Sequence, residues 1–527
     1  VVCACILSLT GCGDKKDIVI LFDNDVHCAV AGYAQMREMR DSLLQLTPYV
    51  SVVSCGDFAQ GDVLGSLSHG RAIVDIMNAV PYDVVTLGNH EFDYGLEQQD
   101  SLRHHLQAEM VCCNFIYTGD AHRRESRLLY PAYTLREYGR RKVAYIGVVT
   151  PFTLTNAMPT MFLNADGEEV YSFMPDELFS LVQQAVMDAR NAGADYVVVL
   201  SHLGDDTQPY DSYSLLSSTT GIDVLLDGHS HHVFHSRVAN ATGDSVVYVS
   251  TGTRFQYIGQ LTLSEDSVSV SLVPSINHPT TPAVAHNTCV QDAIDHARQA
   301  MDTIINRVVG YTMIPLLDCD ARGERQVRNG ETNLFDLLTD AMRWVNKADI
   351  GALHGGSIRS SIDEGEITMG ELISVLPFNN EMALVSMTGQ QLLDALEVSV
   401  ATYPEENGDF HIFSGLRYSI DPTVPSSVRL DDSGHYIGLG DTRRVRSVEV
   451  ERNGRWQALD PAARYSISGL NFALLAGGAS YMYHEATPMP CPARQDIEVI
   501  SSYIHYLGDT IRPVPYGMPQ NRFRVIK

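Results

Sequence analysis

Short apolar, β-branched runs that each end in Asp, Asn or His recur through the first half of the chain. Ile18–Phe22 runs straight into Asp23-Asn24-Asp25-Val26-His27. Val50–Cys55 leads into Gly56-Asp57, and Val84–Leu87 into Gly88-Asn89-His90-Glu91-Phe92-Asp93. Tyr196–Leu200 ends in Ser201-His202, and Val224–Leu226 in Asp227-Gly228-His229-Ser230-His231. Runs of this length and composition read as buried strands. Val143–Val149 and Val246–Val249 add two more, while Met36–Leu46 and Ile73–Val80 carry helical spacing, the second stopping at Pro81. Strands alternating with helices predict an α/β domain, and such sheets bind ligands outside the carboxyl ends of their strands. If the strands are neighbours in one sheet, all five sets of polar side chains converge on one edge.

The chemistry of that edge follows from its residue types. Asp25, His27, Asp57, Asn89, His202, His229 and His231 are more ligands than one ion needs. Two ions roughly 3.5–4 Å apart clamp the attacking and leaving oxygens of an in-line phosphoryl displacement. Asp57, a carboxylate with two oxygens, is the candidate bridge. Asp25 and His27 sit two apart and are placed to grip one ion together; His229 and His231 have the same spacing, and each is free to serve a different ion. Asn89 and His202 complete the second site. Mixed imidazole and oxygen ligands suit zinc, manganese, iron or cobalt better than calcium. His90 is placed to protonate a leaving group, with Asp93 to orient and charge it.

Beyond the Pro-rich stretch Pro274–Pro282, Gln291–Arg307 reads as an amphipathic connecting helix. We divide the chain into a leader and spacer (1–16), a metal-binding domain (17–275), a linker with its helix (276–307) and a second, α+β domain (308–527). The second domain carries no cluster of metal ligands. It holds Arg328 with Glu331-Thr332-Asn333, and His354-Gly355-Gly356-Ser357-Ile358-Arg359.

Composition narrows the function. A chain that is 45% hydrophobic and 19% charged is an ordinary globular protein. Its net charge of −27 argues against nucleic-acid polymers or an anionic membrane surface as partners, so an anionic substrate must be captured by local metals and arginines. Leu9-Thr10-Gly11-Cys12 is similar to a bacterial lipobox, which predicts an exported, periplasmic or cell-surface lipoprotein held to the membrane only through Cys12. The seven later cysteines are scattered without a Cys-x-x-Cys pair, which fits neither a disulfide framework nor a thiolate zinc site.

Taken together, Asp25-Val26-His27, Gly56-Asp57 with Gln60-Gly61, Gly88–Asp93, Ser201-His202-Leu203-Gly204 and Gly228–His231 resemble the calcineurin-like metallophosphoesterases, specifically the 5′-nucleotidase family. The resemblance implies a four-layer α/β/β/α metallophosphoesterase domain joined by a helix to an α+β substrate domain. It implies that Asp25, His27, Asp57 and His231 hold one metal and Asp57, Asn89, His202 and His229 the other, with His90 and Asp93 catalytic. In the second half, Arg328, Gly356, Arg359, Phe378, Asn380 and Phe472 resemble that family's substrate residues, with arginines for phosphate and two phenylalanines for a base. The implied activity is hydrolysis of nucleoside 5′-monophosphates outside the cytoplasm. UDP-sugars, 2′,3′-cyclic nucleotides and sulfur esters are alternatives on the same fold, and a non-catalytic nucleotide-binding lipoprotein is the rival from another class. Cys28 and His354 stand where the family has glycine and asparagine. Ala479 replaces an aspartate that holds ribose hydroxyls, so weak sugar discrimination is expected unless another acid, such as Glu485, reaches them.

Overall fold

A computed structural model describes residues 16–526 apart from 120–126, 165–167, 266, 276–287, 321, 432–435, 453 and 477. The Leu9–Cys12 motif, most of the Pro-rich stretch and Gly477 lie outside the described residues. No described helix is long and apolar enough to cross a membrane.

In the first domain the ligand-bearing strands belong to two sheets, where the sequence pattern had allowed a single one. Ile18–Asp23, Val50–Ser54, Val84–Thr86 and Glu109–Val111 run parallel in that order, extended by Tyr257–Leu263 and Val268–Pro274. Arg141–Val149, Tyr196–His202, Val224–Leu226 and Ser245–Thr251 form the parallel centre of the second, flanked by antiparallel Tyr133–Tyr138 and Val233–Ala239. The reason is apolarity on both faces of each strand, which requires cover on both sides. Phe22, Val53 and Val84 of one sheet pack on Tyr145, Leu200 and Val249 of the other in a single buried cluster. Helices Ala31–Leu44 and Arg71–Ala79 cover the outside of the first sheet, and Leu178–Asn191 and Ser212–Ser218 that of the second. The result is α/β/β/α layering, with the carboxyl ends of both parallel sets on one side.

The connecting helix is Thr288–Ile305, shifted towards the N-terminus relative to Gln291–Arg307. Val290, Ile294 and Ala297 are buried in the outer core of the first domain. At its far end Ile305 packs on Gly370 of the second domain, where an added Cβ would lie 2.8 Å from its side chain.

The second domain is built on a five-stranded sheet in the order His411–Ser414, Ile350–His354, Arg464–Leu470, Met382–Thr388 and Thr487–Met489. Helices Asn333–Asn346, Gly389–Ser399 and Asp496–Tyr506 close one core with it. Thr332 caps the first of these, its hydroxyl accepting the Phe335 N–H, and so fixes the turn that carries Arg328. His354 ends its strand and Phe472 follows the end of Arg464–Leu470, so the sheet edge again supplies the polar and aromatic groups.

Candidate active site

The metal-ligand candidates meet at the shared edge of the two sheets. Asp25, His27, Asp57 and His231 each turn a donor atom inward, and these atoms lie within 4.8 Å of one another. His231 Nε2 is 3.4 Å from Asp25 Oδ1, and His27 Nε2 is 3.8 Å from Asp57 Oδ2. On the other side of Asp57, His202 Nε2 is 3.1 Å from Oδ2, and His229 Nδ1 is 2.9 Å from Asn89 Oδ1. Asp57 therefore stands between the two groups.

Second contacts select the reactive nitrogen of two histidines. The Nδ1–H of His202 donates to the Cys55 carbonyl at 2.7 Å and that of His27 to the Gln60 carbonyl at 3.1 Å, leaving both Nε2 lone pairs for the pocket. His202 Nε2 is fully buried and has no hydrogen bond of acceptable geometry among the described residues. Burial holds His27 and His231 well below the usual imidazole range and pushes His229 down to about 3, the neutral form a metal requires. His202 is the exception. Burial lowers it, but the Asp57 and Asp25 carboxylates outweigh burial and raise it to about 10. Neutral imidazoles on His27, His229 and His231, carboxylates drawn together at Asp25 and Asp57, and a His202 nitrogen aimed at Asp57 are the donor set that divalent cations fit.

Local backbone geometry is bent to this purpose. Asp25, His27, Asp57, His229 and His231 all have positive φ, between 45° and 79°. Non-glycine residues rarely adopt that region, and clusters of them mark functional sites. Gly88 is required by proximity: a Cβ there would sit 2.2 Å from Asp57 Oδ1.

His90 lies above the pocket on a short 3₁₀ turn, Asn89–Phe92. Its Nδ1 is 2.7 Å from Asp93 Oδ2, and its backbone N–H donates to Asp57 Oδ1 at 2.8 Å. The ring is 5.2 Å from that of His27. Burial lowers its basicity, but Asp93 and Asp57 outweigh burial and raise it.

The second domain faces this pocket. Arg359 acts electrostatically on Asp93 and Asp57, its guanidinium 5.5 Å from the Phe378 ring, which in turn lies 5.8 Å from His90. Burial pushes Arg359 down to about 10 and Arg328 to about 9, and Arg328 Nε has no partner among the described residues. Ser66 of the first domain donates to the Pro377 carbonyl at 2.7 Å, which pins Phe378 over the metal pocket. Phe472 stacks on His354, ring centroids 5.3 Å apart, and the Gly356 carbonyl accepts from Arg359 at 3.4 Å. Asn380 is buried, its backbone held to Asp496 in both directions.

Several contributors escaped the sequence reading. Glu91, inside the most conspicuous motif, accepts four backbone N–H groups: Gly88 at 2.6 Å, Asp57 and Phe58 at 2.8 Å, and Ala59 at 3.1 Å. It ties two ligand loops together, a role invisible without the fold. Arg325 bears on His231, Arg328 and Arg359 while paired with Glu406 at 2.9 Å. Its spacing three residues before Arg328 was the available signal. Cys28, in contrast, is a buried thiol 2% exposed and pushed up by burial. The seven described cysteines are all unpaired.

Residues 18–233 match the calcineurin-like phosphoesterase family, and residues 308–485 match the 5′-nucleotidase C-terminal domain. The chain belongs to the phosphoesterases that combine these two domains. Bovine 5′-nucleotidase is 25% identical over 541 residues, covering 93% of this chain and 88% of that protein. The trifunctional nucleotide phosphoesterase YfkN of Bacillus subtilis is 24% identical over 95% of this chain, which spans only 34% of YfkN. Among solved structures, a 5′-nucleotidase precursor from Thermus thermophilus superimposes with a TM-score of 0.79 at 23% identity, covering 97% of this chain and all of that one. The sulfate thiohydrolase SoxB from Thermus thermophilus shares the fold at a TM-score of 0.72 and 18% identity, over 97% of each chain. Two divalent metals are characteristic of this family, in keeping with the donor set described above.

Proposed function

We propose that this phosphoesterase hydrolyses nucleoside 5′-monophosphates. The observation that carries the reading is the placement of Arg359 of one domain 5.5 Å from the Phe378 ring, which lies 5.8 Å from His90 at the Asp–His pocket of the other, with Arg328 close enough to act on His231. Guanidinium forks match phosphate oxygens, and their position opposite the metal ligands supports a phosphoryl group bound between them. Asp25, His27, Asp57 and His231 would hold one cation and Asp57, Asn89, His202 and His229 the second. Such ions supply charge neutralisation at the phosphoryl oxygens and a water more acidic than bulk. His90, oriented through Nδ1 by Asp93, presents Nε2 to the phosphate or its leaving oxygen and donates a proton there. Arg359 and Arg328 hold the phosphate, and Phe378 and Phe472 offer faces to the base. The same reading takes the protein as exported, on the strength of Leu9–Cys12.

The test is hydrolysis of a panel of substrates, with chelator and with added zinc, manganese or cobalt, each read by its own product: inorganic phosphate from nucleoside 5′-monophosphates, UMP from a UDP-sugar, the ring-opened monophosphate from a 2′,3′-cyclic nucleotide, and sulfate from a sulfur ester. Metal-dependent hydrolysis highest on the monophosphates supports the reading. Higher efficiency on another substrate, or no hydrolysis with any metal, overturns it.

A further inference from the structure

Position 479, where the resemblance implies a ribose-holding aspartate, is alanine in this chain, and Glu485 is engaged elsewhere. Glu485 is exposed and accepts from Gln391 Nε2 at 3.2 Å. A different carboxylate stands where a sugar has to pass. Asp409 lies on the turn between helix Gly389–Ser399 and strand His411–Ser414. Both substrate loops fix that turn: Asn407 N–H donates to the Arg328 carbonyl at 2.9 Å, Gly356 N–H to the Gly408 carbonyl at 2.9 Å, and Gly355 N–H to the Phe410 carbonyl at 2.7 Å. Asp409 Oδ2 accepts the hydroxyl of Ser480, on the segment that follows Phe472. Oδ1 has no hydrogen-bond partner among the described residues.

The order of groups along the cleft defines the role. On one side, Arg328 and Asp409 are close enough to act on each other's charge, and Arg328 also bears on His231 of the metal pocket. On the other, His411 packs at 5.7 Å from His354, which stacks on Phe472. A nucleotide with its phosphate at the arginines and its base on Phe472 leaves its sugar in between, beside Asp409. A carboxylate oxygen accepts a sugar hydroxyl well, and a site built around such an acceptor rejects analogues that lack the hydroxyl. We propose that Asp409, steadied by Ser480, is the sugar-facing acceptor and sets discrimination between ribo- and deoxyribonucleotides. This rests on the nucleotide reading above. The competing role for Asp409, balancing the charge of Arg328, would act through the phosphate that both sugars share.

The experiment measures kcat/KM of the full chain on adenosine 5′-monophosphate and its 2′-deoxy and 3′-deoxy forms, for the wild type, Asp409→Ala and Asp409→Asn. The ratio between substrates is internal to each preparation, so partial loss of folded protein cancels. We expect the wild type to favour the ribonucleotide by about tenfold or more over at least one deoxy form. Asp409→Ala should collapse that ratio by lowering the ribonucleotide rate, and Asp409→Asn, which keeps one acceptor oxygen, should fall between. A wild type without preference overturns the inference, as does an alanine variant whose ratio is unmoved because both rates fall together or neither falls. If the wild type hydrolyses no nucleoside monophosphate, the nucleotide reading fails and this one with it. An active wild type with an unmoved ratio removes only the role of Asp409.

Discussion

His27 Nε2 and His231 Nε2 lie 3.0 Å apart, although both rings are held in the neutral form and their residues are 204 positions apart in the chain. With Nδ1 of His27 donating to the Gln60 carbonyl, its Nε2 accepts, so without an ion the contact needs the His231 tautomer protonated at Nε2, and a cation held by both nitrogens would take the place of that proton. Divalent ions should therefore stabilise the fold by linkage, which at a hundredfold excess over the dissociation constant is worth about 2.7 kcal/mol per site. Thermal melts with zinc or manganese against chelator should separate by several degrees. Superimposable melts would contradict the assignment of these donors.

Asp57 stands between the two donor groups, so Asp57→Asn should disturb both ions, whereas Asn89→Ala should disturb one. Bound metal per chain, measured by elemental analysis after gel filtration, distinguishes the two. Equal losses in the two variants would remove Asp57 from the bridging position.

His90 is near the pocket but contributes no donor to it. His90→Ala is expected to lower turnover by about a hundredfold or more while bound metal stays near the wild-type level. Asp93→Asn, which keeps a hydrogen-bonding partner but loses the charge, should fall less. Full turnover in the alanine variant would show that the His90–Asp93 pair is not part of the chemistry.

Glu91 holds four backbone donors, so Glu91→Ala strands several buried N–H groups at about 1–3 kcal/mol each. We expect a loss of at least about 3 kcal/mol in denaturant melts. Glu91→Gln, which keeps one acceptor oxygen, should lose less. A surface-like change below about 0.5 kcal/mol for the alanine variant would be incompatible with the described clamp.

Burial pushes the Asp496 carboxyl up to about 7, partly offset by the backbone N–H groups of Ile497 and Asn380 that it accepts. A folded pKa above the unfolded one means the native state binds more protons. The stability this group contributes is thus full below its ordinary value near 4 and is lost as pH rises through about 7. The wild type should accordingly lose stability relative to Asp496→Asn between roughly pH 4 and 7. Parallel stability–pH curves for the two proteins would show that Asp496 ionises normally in the fold.

Local signals carried much of this architecture. Strands Ile18–Asp23, Val50–Ser54 and Val224–Leu226 are legible because β-branched runs stop abruptly at glycine or acid. The ligands are legible because each follows such a stop. What a linear reading lacks is the third dimension of the layers: the same apolar strands fit one sheet or two, and only the packing of Phe22 on the facing sheet decides it. Glu91 and Asp409 were missed for a related reason. Each acts through backbone groups or neighbours that only the closed fold brings near, and neither residue type nor spacing marks them.

The pocket draws its donors from the ends of two separate sheets. Small zinc modules use the ion as a nucleus around which an otherwise unfolded peptide condenses. Here the order is reversed, because Asp25 and His231 meet only after both sheets and the strands between them are in place. Metal uptake would then follow the folding of the first domain, and tight ion binding would report that this domain is finished. A chain that folds where metal is scarce would wait as a complete but idle scaffold, and become active wherever it next meets the ions.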